Sequence, residues 1–534
     1  MPRRLLIPLF VAALVAACSG NGLEGRRAEN PETPTTTTTE IPQTTEPAPT
    51  TTSAPPSPES TTTTTSPASG VAPGPTASGF PPDWQPAPLQ WSRCAEQRRF
   101  RCATLRVPRD WSRPHSGAEV TLAIAKLPAS GKKIGTLFTN PGGPGASGLE
   151  FVFSEPFQRP LTERFDIVSW DPRGVGESTH LRCGSKVRPF LRQDSDPDNT
   201  TEQQAIDATA KALAEECGTK DADMLPFIGT DDTARDLEAL RRAVGDEKLT
   251  YMGFSYGTFI GERYLAMFPS QVRAMVLDGV VNPTEGLVGL LTGQTTAMTE
   301  AIGRAFASCT TASCKATDPA TRFRQAKSAV ERAPLDTSEG PLGPSELATG
   351  AIYATYDPQL WSTLNRAIAQ AATGNGDGMA RLANGYYDIG DWTAYAGITC
   401  LDSEHPVGAD AFRGFVERLR SSSPDFGGPI GNEMLPCAFW PIPPKVVTGS
   451  IRAESSPEVL VIGNTGDAAT PYDDAVYVAA MLANGNLVTY HGEGHTSYGR
   501  DECIDDAVHR YLIDLVVPPE DPQCGGGGGG TPAP

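Results

Sequence analysis

Histidine is scarce in this chain: His115, His180, His405, His491, His495 and His509 are the full supply in 534 residues. Any reaction that needs an imidazole must draw on one of those six. Positive charge is short as well. Lys and Arg total 44 against 63 Asp and Glu, for a net charge of −19, and no basic stripe with interleaved aromatics offers a local exception. A phosphate backbone would be repelled, which excludes nucleic acid as a partner. No Cys-x-x-Cys pair or Cys/His cluster has zinc-ligand spacing, so neither a structural metal nor a cofactor is expected. There is no internal repeat, which excludes solenoids and propellers. The apolar run that opens the chain falls short of the about 20 residues of a membrane span.

That opening run, "MPRRLLIPLFVAALVAACSG", has two early arginines, an apolar stretch and small residues Ala16 and Ala17 before Cys18. It reads as an export signal over 1–18. "VAAC" resembles a bacterial lipobox, whose cysteine is acylated after cleavage; the other reading is a plain secretory signal with an incidental cysteine. Either way the chain is expected outside the cytoplasm, and the lipobox places it as a lipid-anchored protein on the outer face of the membrane. Residues 19–82 are mostly Thr, Pro, Ser, Ala and Glu, a composition that buries too little apolar surface to fold and reads as a disordered tether. The glycine-rich end, 525–534, reads as a disordered tail. Apart from Cys18 there are ten cysteines. An even number in an exported chain implies disulfides. Sequential pairing would give Cys94–Cys102, Cys183–Cys217, Cys309–Cys314, Cys400–Cys437 and Cys503–Cys524, although spacing alone does not fix connectivity.

The body, 83–524, contains short apolar runs that read as strands: "VTLAIAKL", "KIGTLFTN", "FDIVSWD", "KLTYMG", "RAMVLDGVV", "PEVLVIGN" and "NLVTYH". Helical patterns separate them. In "DDTARDLEALRRAVG" Ala234, Leu237, Leu240 and Val244 share one face, with Thr230 expected as N-cap and Gly245 as the stop. Alternating strands and helices imply an α/β fold with a mostly parallel sheet covered on both faces. Ligands of such sheets sit beyond the carboxyl ends of the strands.

At one such end stands "GFSYG". A lone Gly-x-Ser-x-Gly is a common accident in a chain with 54 glycines. Here, however, it follows a strand and opens a helix, the setting in which a serine protrudes as a nucleophile. The motif points to Ser255. In this arrangement an acid and then a base follow the serine, each in a loop after a strand. "VLVIGNTGDAATPY" supplies Asp467 and "NLVTYHGEGHTSYG" supplies His495. His491 is too close to the end of its strand to compete well, and Asp473 and Asp474 read as the first turn of a helix, where carboxylates favour the dipole. The oxyanion of the intermediate needs donors. The loop "TNPGGPGASG" offers Gly143, or its neighbour Gly142, and the amide of Tyr256 follows the nucleophile. The loop matches neither Gly-x-Gly-x-x-Gly nor a phosphate-binding Walker motif.

"NPGGPGASG", "DIVSWDPRGVGES", "GFSYGT", "VLDGVV", "GDAATPY" and "GEGHTSYG" together resemble, in order and spacing, the prolyl and tripeptidyl aminopeptidase-like α/β-hydrolases, above all the exported actinobacterial tripeptidyl aminopeptidases. The likeness runs from about residue 91 to 524. It departs from prolyl aminopeptidases at Asn140, where they usually carry histidine, and in a larger insert. The resemblance implies a core over 83–281 and 458–524 and a mainly helical cap over 282–457, which would screen water and restrict entry. It also implies a serine exopeptidase acting on peptides with free amino termini, plausibly releasing tripeptides. Such an enzyme must hold a charged amine, for which Asp402 and Glu404 of "ITCLDSEHP" are the candidates. The other function class is a carboxylesterase or lipase on envelope esters, which uses the same triad and needs no amine anchor.

Overall fold

The computed structural model describes residues 79–95, 97–519 and 521–526. The signal segment with Cys18, nearly all of the expected tether and most of the tail lie outside them. Among the described residues, ten strands form one sheet: β1 (Ser92–Arg93), β2 (Arg101–Pro108), β3 (Glu119–Leu127), β4 (Gly135–Asn140), β5 (Phe165–Trp170), β6 (Leu249–Phe254), β7 (Val272–Asp278), β8 (Val459–Gly466), β9 (Gly485–Glu493) and β10 (Gln523–Gly525). Their order is β1-β2-β3-β5-β4-β6-β7-β8-β9-β10. From β5 to β10 every neighbouring pair is parallel, while β1, β2 and β3 join antiparallel at one edge.

The central strands are buried along their length because each serves two cores. Tyr251, Met275, Leu277 and Val461 face one apolar cluster, whereas Met252, Phe254, Val276 and Ile462 face the other. Successive side chains point to opposite faces, so a strand sandwiched between helix layers must be apolar at consecutive positions. The chain leaves β4 toward β5 on one side and returns to β6 on the other. That reversal opens a crevice at the carboxyl ends of β4 and β6.

Between β7 and β8, across the segment expected to be a cap, the named elements are helices, from Leu287–Ala307 to the short turn Leu435–Phe439. Five disulfides link Cys94 with Cys102, Cys183 with Cys217, Cys309 with Cys314, Cys400 with Cys437, and Cys503 with Cys524. Among the described residues no helix is long and apolar enough to cross a membrane.

One expectation shifts by a residue. The helix Thr230–Val244 has Gly229, not Thr230, at its N-cap, and ends at Gly245 with φ of 92°. The missing cap acceptor arrives from elsewhere: Asp402 Oδ2 accepts from the Thr230 amide at 2.9 Å and from its hydroxyl at 2.6 Å. A Cβ at Gly229 would lie 2.6 Å from Asp402 Oδ1, so a larger residue there would displace the capping carboxylate.

Candidate active site

Ser255 sits between the end of β6 and the helix Tyr256–Met267, with φ of 54° and ψ of −129°. The strained backbone belongs to the serine itself rather than to its flanking glycines. Those glycines allow close approach. A Cβ on Gly257 would be driven into the carbonyl oxygen of Asn140, and one on Gly253 into that of Gly257. The Ser255 amide donates to Asp278 O at 3.0 Å, and Ser255 O accepts from Thr258, so the turn is held from both sides.

Asp467 and His495 follow β8 and β9. His495 Nδ1 lies 2.9 and 3.0 Å from the two Asp467 oxygens. The carboxylate also accepts from the amides of Ala469 and Thr470 and from the Thr470 hydroxyl at 3.0 Å. Burial pushes the Asp467 carboxyl up, but His495 and the Thr470 and Thr496 amides outweigh it and hold it below the usual carboxylate range. His495 Nε2 has no hydrogen-bond partner among the described residues. Ser255 and His495 line the same cavity. Asp278, at the end of β7, accepts from the amides of Ser497 and Tyr498 and so pins the histidine loop; burial raises it to about 6.

The loop after β4 approaches from the opposite side. Gly142 and Gly143 have φ of 102° and 107°, values that only glycine adopts without strain. A Cβ on Gly142 would lie 2.9 Å from both Ser255 Cβ and the Tyr256 nitrogen. The Gly142 amide donates to Asn140 Oδ1 at 2.9 Å, while Gly143 and Tyr256 line the same cavity as Ser255. Asp171 of the "WDPRG" motif accepts from the Ser147 hydroxyl and from the amides of Leu149 and Glu177, bracing this loop. Arg173 is fully buried on Asp236 at 2.6 Å.

The rivals stand apart from this cluster. His491 is exposed and bonded to Gln523, Asp473 is exposed, and Asp474 sits in the first turn of its helix beside Asn282.

The cavity has a volume of about 440 Å³, within the range of small-ligand sites. The amine-anchor expectation changes here. Glu404 is exposed and outside the cavity lining, because its side chain follows the end of the helix Trp392–Asp402 into solvent. Asp402 reaches the cavity wall with Oδ2 capping Thr230 and Oδ1 without a hydrogen-bond partner among the described residues, and burial raises it to about 7. A further carboxyl, missed in the sequence, also lines the cavity. Glu433 lines the cavity, accepts from the Tyr386 hydroxyl at 2.7 Å and is raised by burial to about 7. Burial also raises the hydroxyls of Tyr356, Tyr386 and Tyr395, and the Glu433 charge adds to this. The disulfide Cys400–Cys437 joins the segment of Asp402 to that of Glu433. The only hint in the sequence was a lone acid in the apolar stretch "GGPIGNEMLPC".

The chain is similar to known proteins over most of its length. Residues 135–296 match the alpha/beta hydrolase fold family and residues 423–524 match the family described as TAP-like protein. Serine protease Hip1 of Mycobacterium tuberculosis is 34% identical over 478 residues, covering 82% of this chain and 91% of its own length. Carboxylesterase B of the same organism is 31% identical, covering 86% and 94%. A tripeptidyl aminopeptidase of Streptomyces coelicolor is 28% identical, covering 82% and 86%.

Proposed function

The chain belongs to the tripeptidyl aminopeptidase-like α/β-hydrolases, serine hydrolases of the aminopeptidase type, and on that premise we propose that it removes short peptides, tripeptides among them, from free amino termini. In this reading Ser255 Oγ attacks the scissile carbonyl while His495 Nε2 takes its proton. Asp467 fixes the imidazole through Nδ1 and stabilises its cationic form. The amides of Gly143 and Tyr256 receive the oxyanion. As the tetrahedral intermediate collapses, His495 returns the proton to the leaving amine; water then releases the acyl group by the same steps in reverse.

The observation that carries the exopeptidase reading is Glu433, a half-buried carboxyl that lines the cavity together with Tyr356, Tyr386 and Tyr395. A carboxylate with aromatic faces nearby suits an ammonium group that has left water. The Carboxylesterase B relative favours a second reading, an esterase on envelope esters. Incubating the purified protein with free and N-acetylated peptide amides and with neutral acyl esters separates the two. Free-amine peptides should be cleaved fastest. Equal rates on acetylated peptides would remove the exopeptidase reading, and a strong preference for esters would establish the alternative. Export with acylation of Cys18 is part of the proposal and concerns residues outside those described. So is the division into core 83–281 with 458–524 and cap 282–457, with the cap restricting which peptides enter.

A further inference from the structure

The cavity wall beside the base is built by the cap segment. Tyr356 O accepts from the His495 amide at 2.9 Å and from Arg500 Nη2 at 3.2 Å, and the same Nη2 reaches His495 O at 3.4 Å. Both backbone polar groups of His495 therefore go to Tyr356 and Arg500. Arg500 Nη1 lies 3.6 Å from Asp357 Oδ1, with 13% of the arginine side chain exposed. Asp357 also accepts from the Gln359 amide at 3.0 Å, shaping the turn that follows. The Tyr356 ring meets the imidazole edge-on, with centroids 5.4 Å apart. Gly494, with φ of 98°, makes this seating possible: a Cβ there would lie 2.9 Å from both Tyr356 O and Pro358 Cδ. The neighbouring residues are fixed to the core instead, Gly494 O by Asn464 Nδ2 at 2.6 Å and the Ser497 amide by Asp278.

We propose that Arg500 is a positioning residue that clamps the cap segment 356–358 to the His495 loop, so that the base is correctly held only while this part of the cap is seated. The inference rests on the reading of His495 as the base. A reaction that transfers a proton twice through one imidazole is sensitive to its placement at the sub-ångström level. Asp467 fixes the ring from one nitrogen, while the peptide groups that carry the ring answer to the cap. Lifting segment 356–358 removes the partner of the His495 amide and one of the carbonyls that hold the guanidinium. Proton transfer is thereby tied to a closed cavity.

The test compares the wild-type protein with Arg500→Gln, Arg500→Lys and Asp357→Asn. The readouts are kcat and KM on a free-amine peptide amide and on a small neutral ester, the rate at which a fluorophosphonate labels Ser255, thermal unfolding, and the low-field proton resonance of His495 Nδ1. For Arg500→Gln, kcat on both substrates and the labelling rate should fall about tenfold to hundredfold. KM should stay within about twofold, the low-field resonance should broaden, and the protein should remain folded at the assay temperature. Arg500→Lys should recover part of the loss, and Asp357→Asn should show a smaller loss of the same kind. A raised KM for the peptide alone, with ester turnover and labelling intact, would make Arg500 a substrate contact and overturn the proposal. Wild-type labelling in Arg500→Gln would overturn it as well, as would losses that merely track unfolding. If Arg500→Gln does not fold, Asp357→Asn decides, and unchanged labelling there refutes the clamp. Failure of the wild-type protein to be labelled at Ser255 would instead refute the triad.

Discussion

Ser255 carries its own strain, on the order of 1–3 kcal/mol for a non-glycine residue at positive φ, and its context in the sequence was enough to single it out. Replacing it with alanine leaves the backbone demand unchanged, so the fold should persist, while kcat falls by about 10⁴-fold or more. Retention of activity within tenfold would show that another nucleophile operates. Glu433 was not legible, because a glutamate in an apolar stretch reveals nothing about which cavity it faces. Glu433→Gln should raise KM for free-amine peptides about tenfold to hundredfold, the loss of one charge-assisted bond of about 1.5–3 kcal/mol, and leave a neutral ester unaffected. In the wild type, KM for those peptides should rise as pH falls through about 7, since protonation removes the charge that meets the ammonium group. The variant should lose that limb, as measured by initial rates across pH 5–8.

At the scale of elements, the central strands could be read from their apolar runs and the helix Thr230–Val244 from its apolar face, because each obeys a local pattern. The edge strands β1 and β10 are only two and three residues long, too short to carry one. The start of the helix Thr230–Val244 moved because its cap acceptor lies 172 residues downstream in the chain. Asp402 has a folded value of about 7 against an ordinary 3.8. A raised carboxyl binds more protons folded than unfolded, so its stabilising contribution is full below about 3.8 and is lost as pH rises to about 7. Asp402→Asn should flatten this part of the stability profile while keeping an oxygen for the Thr230 amide. Thermal unfolding followed from pH 4 to 7 would show it; an unchanged slope would mean that the helix end does not sense the Asp402 charge. Gly257→Ala, which forces a methyl group against Asn140 O, should cost roughly 1–3 kcal/mol by overpacking and lower kcat by shifting the loop of Gly143. A thermal midpoint and kcat both matching the parent would contradict that packing.

For the molecule as a whole, the remaining prediction concerns its address. Cys18→Ser should move the protein from the membrane fraction to the medium or leave it unprocessed, and a mature protein starting beyond Cys18 without acyl mass would refute lipidation. The sequence by itself determined the α/β alternation and singled out Ser255, Asp467 and His495 as candidates, with Gly142 and Gly143 left as alternatives, because each is marked by neighbours within a few positions: a strand before, a glycine beside, a helix after. The tertiary structure alone decided that Glu433 lines the cavity, that the Gly142 amide is bonded to Asn140, that Asp402 caps a distant helix, and that Tyr356 and Arg500 hold the backbone of His495. Those are contacts between segments tens to hundreds of residues apart. Such pairings are fixed by how helices pack over a sheet, and no local pattern of residue types records them.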